Sequence, residues 1–401
     1  MKKILVVGGG DYQVPLIKRI VEKGYDAYCV DRNPQAPGFA CATGYRCIDV
    51  MDRDACLAYA RELGIAGVMT YGATLTLPTV SYIGSQLALP VLPMKTAEIS
   101  KSKYAIKERL HQAGCNIKGD FFQMTAREQA SLHSFSLPCV VKPSDGSGSK
   151  GVSVVTCPEE LEEALDYAFA SARYGEVYTE GFVSGEEYSV EAFVCSGQIY
   201  VYAVVKTTFC REENGDVTYG HRTPSGLPAE KEAAIAQEVT KAIRALDITM
   251  ASVNFDVIMS DEDGKPYIID CGIRIGQNLI ASHMVPLSRG VSVIDNTIAL
   301  ALGESVDAAP KYQKCIATRL LIYQPGIIRE VKPMDAVIGK DGILAVVMRK
   351  SAGDRLNPYR EKSDTCGWVV AGGDTPDLAE QNAQKAKQLL KDYIIIESAE
   401  G

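Results

Sequence analysis

The stretch Val253 to Arg274, VNFDVIMSDEDGKPYIIDCGIR, holds two short apolar runs joined by an Asp-Gly pair. That pattern predicts a β-hairpin. Asp256 and Asp270 stand at equal distances from Asp263, the middle of the connection. In a hairpin centred there the two carboxylates lie opposite one another. Like charges directly opposed destabilise a sheet, so the pair calls for a cation. A hard divalent ion such as Mg²⁺, carrying nucleotide phosphates, suits two carboxylates. Arg274 follows on the same end of the hairpin, placed for a phosphoryl or carboxylate group. A solvated hairpin with incidental acids is the plainer account of the same residues.

The chain has 401 residues, enough for two or three domains, and its 46% hydrophobic content can bury sizeable cores. A net charge of −8 argues against a nucleic-acid partner, and Lys and Arg form no basic run. None of the twelve cysteines makes a CxxC pair, and Cys29, Cys139 and Cys195 sit in apolar strand-like runs. Buried thiols in a reducing cytoplasm are the expectation. The opening MKKILVVGGG reads as a first strand and not a signal segment. No apolar stretch is long enough to span a bilayer. The chain is therefore expected to be cytoplasmic, with no membrane partner.

Residues 1–95 alternate strand and helix (ILVVG, VPLIKRIVEKG, AYCVD, ACLAYARELG), the pattern of a parallel, doubly wound α/β unit. Gly8, Gly9 and Gly10 with Asp31 suggest a dinucleotide fingerprint, but Gln13 stands where GxGxxG needs glycine. A turn admitting a small ligand, or tight strand–helix packing, explains the glycines better. KTAEISKSKYAIKERLHQAG then predicts one helix ended by Gly114. CVVKP, GVSVVT, EVYTEGFV, EEYSVEAFV and QIYVYAVVKTTF predict an antiparallel sheet, with helices near 158–173 and 228–246. The tail from about 306 is again strand-rich.

Two further stretches carry chemistry. In VVKPSDGSGSKGVSVV, residues 140–155, the glycines 146, 148 and 151 satisfy GxGxxG. Here, however, the loop joins strand to strand. A Gly- and Ser-rich hairpin tip can close over a nucleotide with its backbone N–H groups, Lys142 and Lys150 adding charge; a plain hairpin loop is the alternative. In EGFVSGEE, residues 180–187, Phe182 and Val183 offer an apolar wall, and Glu180 and Glu187 can accept from an amine or from ribose hydroxyls. A solvated strand edge would explain either glutamate singly.

Taken in order (Lys103 of KSKYAIKERLHQAG, VVKPSDGSGSKGVSVV, EGFVSGEEYSV, then NFD to IIDCGIR), these motifs resemble the ATP-grasp superfamily of carboxylate–amine and carboxylate–thiol ligases. They are most similar to carbamoyl-phosphate-synthase-like and amino-acid-ligase-like members. The resemblance runs from about residue 1 to 395. It implies a mixed α/β and α+β architecture: a preATP-grasp, Rossmann-like domain over 1–95, an ATP-grasp module of two lobes over 96–305, and a C-terminal strand-rich lobe over 306–401. It also implies that Lys103 and Lys142 contact ATP, and that Ser147, Gly148, Ser149, Lys150 and Gly151 lie in a mobile phosphate flap. Glu180, Gly181, Phe182 and Val183 would form the adenine hinge, Glu187 the ribose contact, and Asp256 and Asp270 the Mg²⁺ site, with Mn²⁺ an alternative.

The chain departs from the family at Asp270, where a glutamate is usual, and at Gly272, where the usual asparagine would be a ligand. Water, Asn254 or Asn278 can take that place; otherwise one metal site is weak. The implied reaction joins a carboxylate to an amine, with amino acids one candidate pair, through an acyl phosphate, releasing ADP. Bicarbonate or formate activation and a weakly active ATP-binding protein are the competing readings. Positioning and charge neutralisation suffice for such a transfer. Arg274, Asp270 and Lys206 are the candidate catalytic residues. His221, Arg222, Arg274 and Asn278 are the candidate substrate contacts, a surface loop being the alternative around His221. The partners expected are small-molecule acids and amines, and a homodimer is the commonest assembly for such a chain.

Overall fold

The computed structural model describes residues 1–401 except 120, 147, 149, 213–214, 277, 360–363 and 399–401; the side chains of 132, 210–212, 215–217 and 398 are also not described. Strands β1 (Lys3–Val7), β2 (Asp26–Asp31), β3 (Gly44–Cys47) and β4 (Gly67–Met69) pair in parallel in the order β3-β2-β1-β4. Helix α1 (Val14–Glu22) packs Leu16, Ile17 and Ile20 with Ile4 and Val6. Helices α2 (Arg53–Leu63) and α3 (Leu77–Leu87) cover Leu5 and Val7 on the other face. Burial on alternate sides of one strand is what a two-sided apolar run dictates. The glycine turn after β1 is used for packing: Gly9 N–H donates to Asp31 Oδ2 (2.8 Å), and Gly38 N–H donates to Gly9 O (2.7 Å).

The single helix expected after residue 95 is two, α4 (Met94–Ile99) and α5 (Lys103–Gln112). The break falls where Ser102 caps α5, its Oγ accepting from Ala105 N–H (3.2 Å). Serine competes for the backbone in this way more readily than it continues a helix.

A small antiparallel sheet follows. Strands β5 (Phe122–Met124), β6 (Cys139–Pro143), β7 (Ser153–Val155) and β8 (Val177–Gly181) lie in the order β5-β8-β6-β7. Helix α6 (Leu161–Ser171) buries Ala164, Leu165 and Ala168 against it. The rest of the chain builds a large sheet from β9 (Gly185–Cys195), β10 (Gln198–Glu212), β11 (Gly215–Thr223), β12 (Ala251–Ser260), β13 (Pro266–Gly272) and β14 (Cys315–Leu320). Beyond β15 (Gly326–Val331) come β16 (Ile343–Met348), β17 (Arg355–Leu356), β18 (Gly367–Gly373) and β19 (Ile394–Ser398). The order β13-β12-β9-β10-β11-β14-β18-β16 makes one eight-stranded sheet, while β17, β15 and β19 form a separate three-stranded one. Strands of the C-terminal tail thus extend the same sheet that carries the aspartate hairpin.

The large sheet has two distinct faces. On one, Val190, Val253, Phe255 and Val257 pack on Ile235, Val239 and Ile243 of helix α7 (Ala229–Ala245). On the other, Phe193, Cys195 and Val205 pack with Ile4, Val6 and Leu16 of the N-terminal unit. Each side chain of that size contributes roughly 1.5–3 kcal/mol when fully buried. Where this second face carries polar side chains instead, it is left open as a cleft. Among the described residues no helix is long and apolar enough to cross a membrane, and the cysteines they include are free thiols.

Candidate functional site

Strands β12 and β13 pair as predicted, and Asp256 stands opposite Asp270. The local reason is finer than the symmetry of the sequence. Near the turn, Val257 pairs with Ile268 and Ile258 with Tyr267, a register that on its own would set Asp256 against Ile269. A β-bulge between Asp256 and Val257 leaves Ile269 unpaired and brings the aspartates into line. Bulges re-aim side chains beside functional sites. Alternation along β12 then sets Ser252, Asn254 and Asp256 on the cleft face, between the buried Val253, Phe255 and Val257.

The bulge also serves two lysines. Ile268 O accepts from Lys107 Nζ (2.6 Å) and Ile269 O from Lys142 Nζ (3.4 Å). Both ammoniums pair with the Glu180 carboxylate, Lys107 at 2.8 Å and Lys142 on its other oxygen. All three are nearly inaccessible, at 3%, 6% and 4% exposure. Lys142 also lies 5.3 Å from the centre of the Tyr178 ring. Burial holds the Lys107 amine below its ordinary pKa. For Lys142 burial acts the same way but is outweighed by Glu180, and its pKa is raised. Burial would raise the pKa of Glu180, yet the two lysines keep it below the ordinary value. Lys107 was not singled out from the sequence; its spacing of four from Lys103 on one helix face was the available signal.

Lys103 pairs with Asp270. Helix α5 is docked for this by Lys103 N–H donating to Ser144 O (2.8 Å), just past β6. Burial opposes the charge on Asp270, but Lys103 and Lys142 hold its carboxyl well below the usual range.

A cleft of about 560 Å³ opens on this face, lined by residues of all three major sheets and their loops. Lys103, Gly148, Lys150, Glu187, His221, Asp256, Asp270, Arg274 and Asn278, about half of the predicted residues, line it. Gly148 and Gly151 take left-handed φ angles of 67° and 77° in the tip loop; Ser147 and Ser149 lie outside the described residues. Tyr12 and Gly72–Leu75, from loops after β1 and β4, form a wall that sequence reasoning missed. Loops at the carboxyl ends of parallel strands are where open α/β sheets bind ligands.

Other predicted residues stand elsewhere. Lys142, Glu180, Gly181, Phe182 and Val183 are not on the cleft surface. Gly181 N–H donates to Lys118 O (3.2 Å) and Phe182 N–H to Pro138 O (3.2 Å), so both donors are already engaged. Lys206 and Arg222 pair with one another across β10 and β11, on the face turned away from the cleft. Lys206 pairs with Glu186. Arg222 reaches Asp377 (2.5 Å) and Glu380 (3.2 Å) of helix α8 (Pro376–Leu389), and Arg319 pairs with the same Glu380. Period two decides this: their neighbours Thr207 and His221 are the ones that line the cleft.

Past β13 the chain crosses the cleft floor. A Cβ on Gly272 would lie 3.1 Å from the Arg274 guanidinium carbon, so the arginine fills space that a side chain there would need. Beneath this segment Glu191 is wholly buried, Oε1 accepting from Ser252 Oγ (2.8 Å) and Gly276 N–H (3.2 Å). Burial pushes its carboxyl up to about 7, against the pull of those donors.

Comparison with known proteins adds family information. Residues 135–282 match the ATP-grasp domain model, and residues 319–392 match the model of L-amino acid ligase C-terminal domain 2. The chain is 29% identical to a D-alanine–D-alanine ligase of Delftia acidovorans over 196 residues, 46% of this chain and 58% of that enzyme. It is 25% identical to a formate-dependent phosphoribosylglycinamide formyltransferase of Rhodococcus jostii over 286 residues, 66% of this chain and 69% of that one. The crystal structure of an L-amino acid ligase from Bacillus licheniformis superposes with a TM-score of 0.82 at 22% identity, covering 99% of both chains.

Proposed function

For a chain that contains an ATP-grasp domain followed by an L-amino acid ligase C-terminal domain, we propose an ADP-forming ligase that activates a small carboxylate and joins it to an amine. The observation that carries this is the opposed pair Asp256 and Asp270 at a cleft that also receives Lys103, Lys150 and Arg274. Asp256 and Asp270 would hold Mg²⁺, or Mn²⁺ in its place. Among the described residues no three His, Cys, Asp or Glu side chains cluster as ligands. Two carboxylates nonetheless fit Mg²⁺, which keeps waters and takes phosphate oxygens for its remaining positions. When bound, the ion neutralises charge on the phosphates.

The chain's own residues supply the rest. Lys103, which balances Asp270 in this structure, is free to turn to a phosphate once Asp270 has another cation. Lys150 on the tip loop and Arg274 on the floor bracket the transferring group and offset its charge. The bound acid attacks the terminal phosphorus and forms an acyl phosphate, breaking the bond to ADP. The amine then attacks the acyl carbon and expels phosphate. The tip loop is the candidate lid that keeps water from the acyl phosphate. Lys142 acts from below the cleft, fixed by Glu180, as a buried positive charge rather than a surface contact.

Amino acids are the substrate class we assign, supported by the match to the L-amino acid ligase C-terminal domain. Formate or bicarbonate as the acid is the second reading, favoured by the formyltransferase similarity. The free thiols support a reducing cytoplasm as the working compartment. ADP release from Mg-ATP, measured with pooled amino acids and then with formate and bicarbonate, tests the assignment. Release that depends on amino acids supports it; release only with formate or bicarbonate supports the second reading; nucleotide binding with no release under any mixture overturns both.

A further inference from the structure

We propose that Glu191 is a positioning residue: its buried carboxylate holds the backbone at Gly276 and so fixes where Arg274 and Asn278 stand in the cleft. The inference deepens the ligase reading, and its consequence for nucleotide binding rests on that reading.

Glu191 lies on β9 in the row that faces Asn254 of β12, and none of its surface reaches solvent. One oxygen takes two donors, the Ser252 hydroxyl from β12 and the Gly276 N–H from the crossing segment. The carboxylate therefore ties a rigid strand pair to the loop above it. The other oxygen faces the Gly276 backbone and would lie 2.1 Å from a Cβ placed there. Only glycine can approach so closely. No positive φ explains that glycine, so the close approach is its reason.

The segment needs such an anchor. Asn278 and Leu279 are both left-handed, with φ of 58° and 63°, and a π-helical turn, Ile280–Met284, follows at once. Leucine is a poor occupant of that backbone region, and consecutive strained residues persist only where their surroundings hold them. π-Turns of this kind concentrate at functional sites. Upstream, Arg274 Nη1 donates to Ile275 O (3.3 Å), so its guanidinium lies back along the same segment. Glu191 makes no ion pair with Lys103, Lys107 or Lys142, whose acids are Asp270 and Glu180. Its work is on the backbone. The raised pKa agrees with this, since a neutral acid can serve the anchor as well as an ion.

Hydrogen exchange on the full chain tests the proposal without reference to activity. In Glu191→Ala the amides of residues 272–280 should exchange roughly tenfold faster or more, because a buried donor loses its acceptor. Glu191→Gln, which keeps one oxygen in place, should restore most of the protection. Gly276→Ala should speed exchange in the parent but add little in the Glu191→Ala background, where the oxygen its Cβ would strike is gone. Unchanged protection in Glu191→Ala, or strictly additive effects of the two substitutions, would overturn the proposal. If Glu191→Ala does not fold, Gly276→Ala and Glu191→Gln carry the comparison. Calorimetry adds the functional arm: Glu191→Ala should weaken Mg·AMPPNP roughly tenfold while changing Mg·ADP by less than about threefold, since Arg274 serves the terminal phosphate. Equal loss for both nucleotides would overturn the link to Arg274. A parent that binds neither nucleotide refutes the ligase reading and leaves the exchange result to decide the anchor.

Discussion

Replacing Glu180 by glutamine should be among the most damaging single changes in the small lobe, and the structure says why. The cluster holds two lysines and one glutamate, each at most 6% exposed. With Glu180 it carries one net positive charge; with glutamine there, two buried ammoniums share a site whose acceptors, one amide oxygen and the carbonyls of Ile268 and Ile269, are all neutral. Removing one partner of a buried pair costs about 3–5 kcal/mol, because the desolvation of the remaining charge is no longer compensated. Lys107→Met is the control. It leaves the neutral pair Lys142–Glu180, and an apolar side chain of similar length replaces a group whose charged form burial already disfavours, so its cost should be about 1 kcal/mol. Urea unfolding followed by circular dichroism measures both; Trp368, the only tryptophan, sits in β18 and reports a different sheet. A cost under about 1 kcal/mol for Glu180→Gln, or an equal cost for the two variants, would refute the reasoning.

Three further outcomes follow from the same geometry. Asp256→Asn and Asp270→Asn should each abolish ADP formation while leaving the fold intact, and full activity in either would remove the metal assignment. For Glu191 the sign is fixed by a folded pKa near 7 against an ordinary 4.5: the folded state keeps a proton that the unfolded state releases, so its stabilising contribution is complete below pH 4.5 and is lost as the pH rises to 7. That shift corresponds to roughly 3 kcal/mol; Glu191→Gln should lack this part of the slope when urea midpoints are compared at pH 5 and pH 8, and equal slopes would disprove it. Lys206→Ala should change turnover by less than about twofold, since the side chain is paired on the face away from the cleft; a large loss would return it to the site.

The hairpin, the parallel opening sheet and about a third of the cleft lining were legible because local patterns encode them: alternation, an Asp-Gly turn, glycine-rich tips. What escaped notice depends on relations between segments. Lys206 and Arg222 looked available for anions, yet their pairing with Glu186 and with α8 comes from strands and a helix distant in sequence. Lys107 and Glu191 carry no motif, and their importance appears only once burial removes the solvent that would otherwise satisfy them. The bulge at Asp256 is a third kind of case. The expected opposition of the aspartates is correct, but it arises from an extra residue in β13 and not from a symmetric turn.

The continuous pairing from β13 through β12, β9 and β10 to β11 also makes the large sheet a ruler. Asp270 and His221 both face the cleft, four strand spacings apart. At about 4.8 Å per spacing they are separated by roughly 19 Å along the sheet. That backbone separation is much longer than an amino acid. The distance is set by backbone hydrogen bonds, so side-chain substitutions along the row can change what binds at either end but not how far apart the two ends stand.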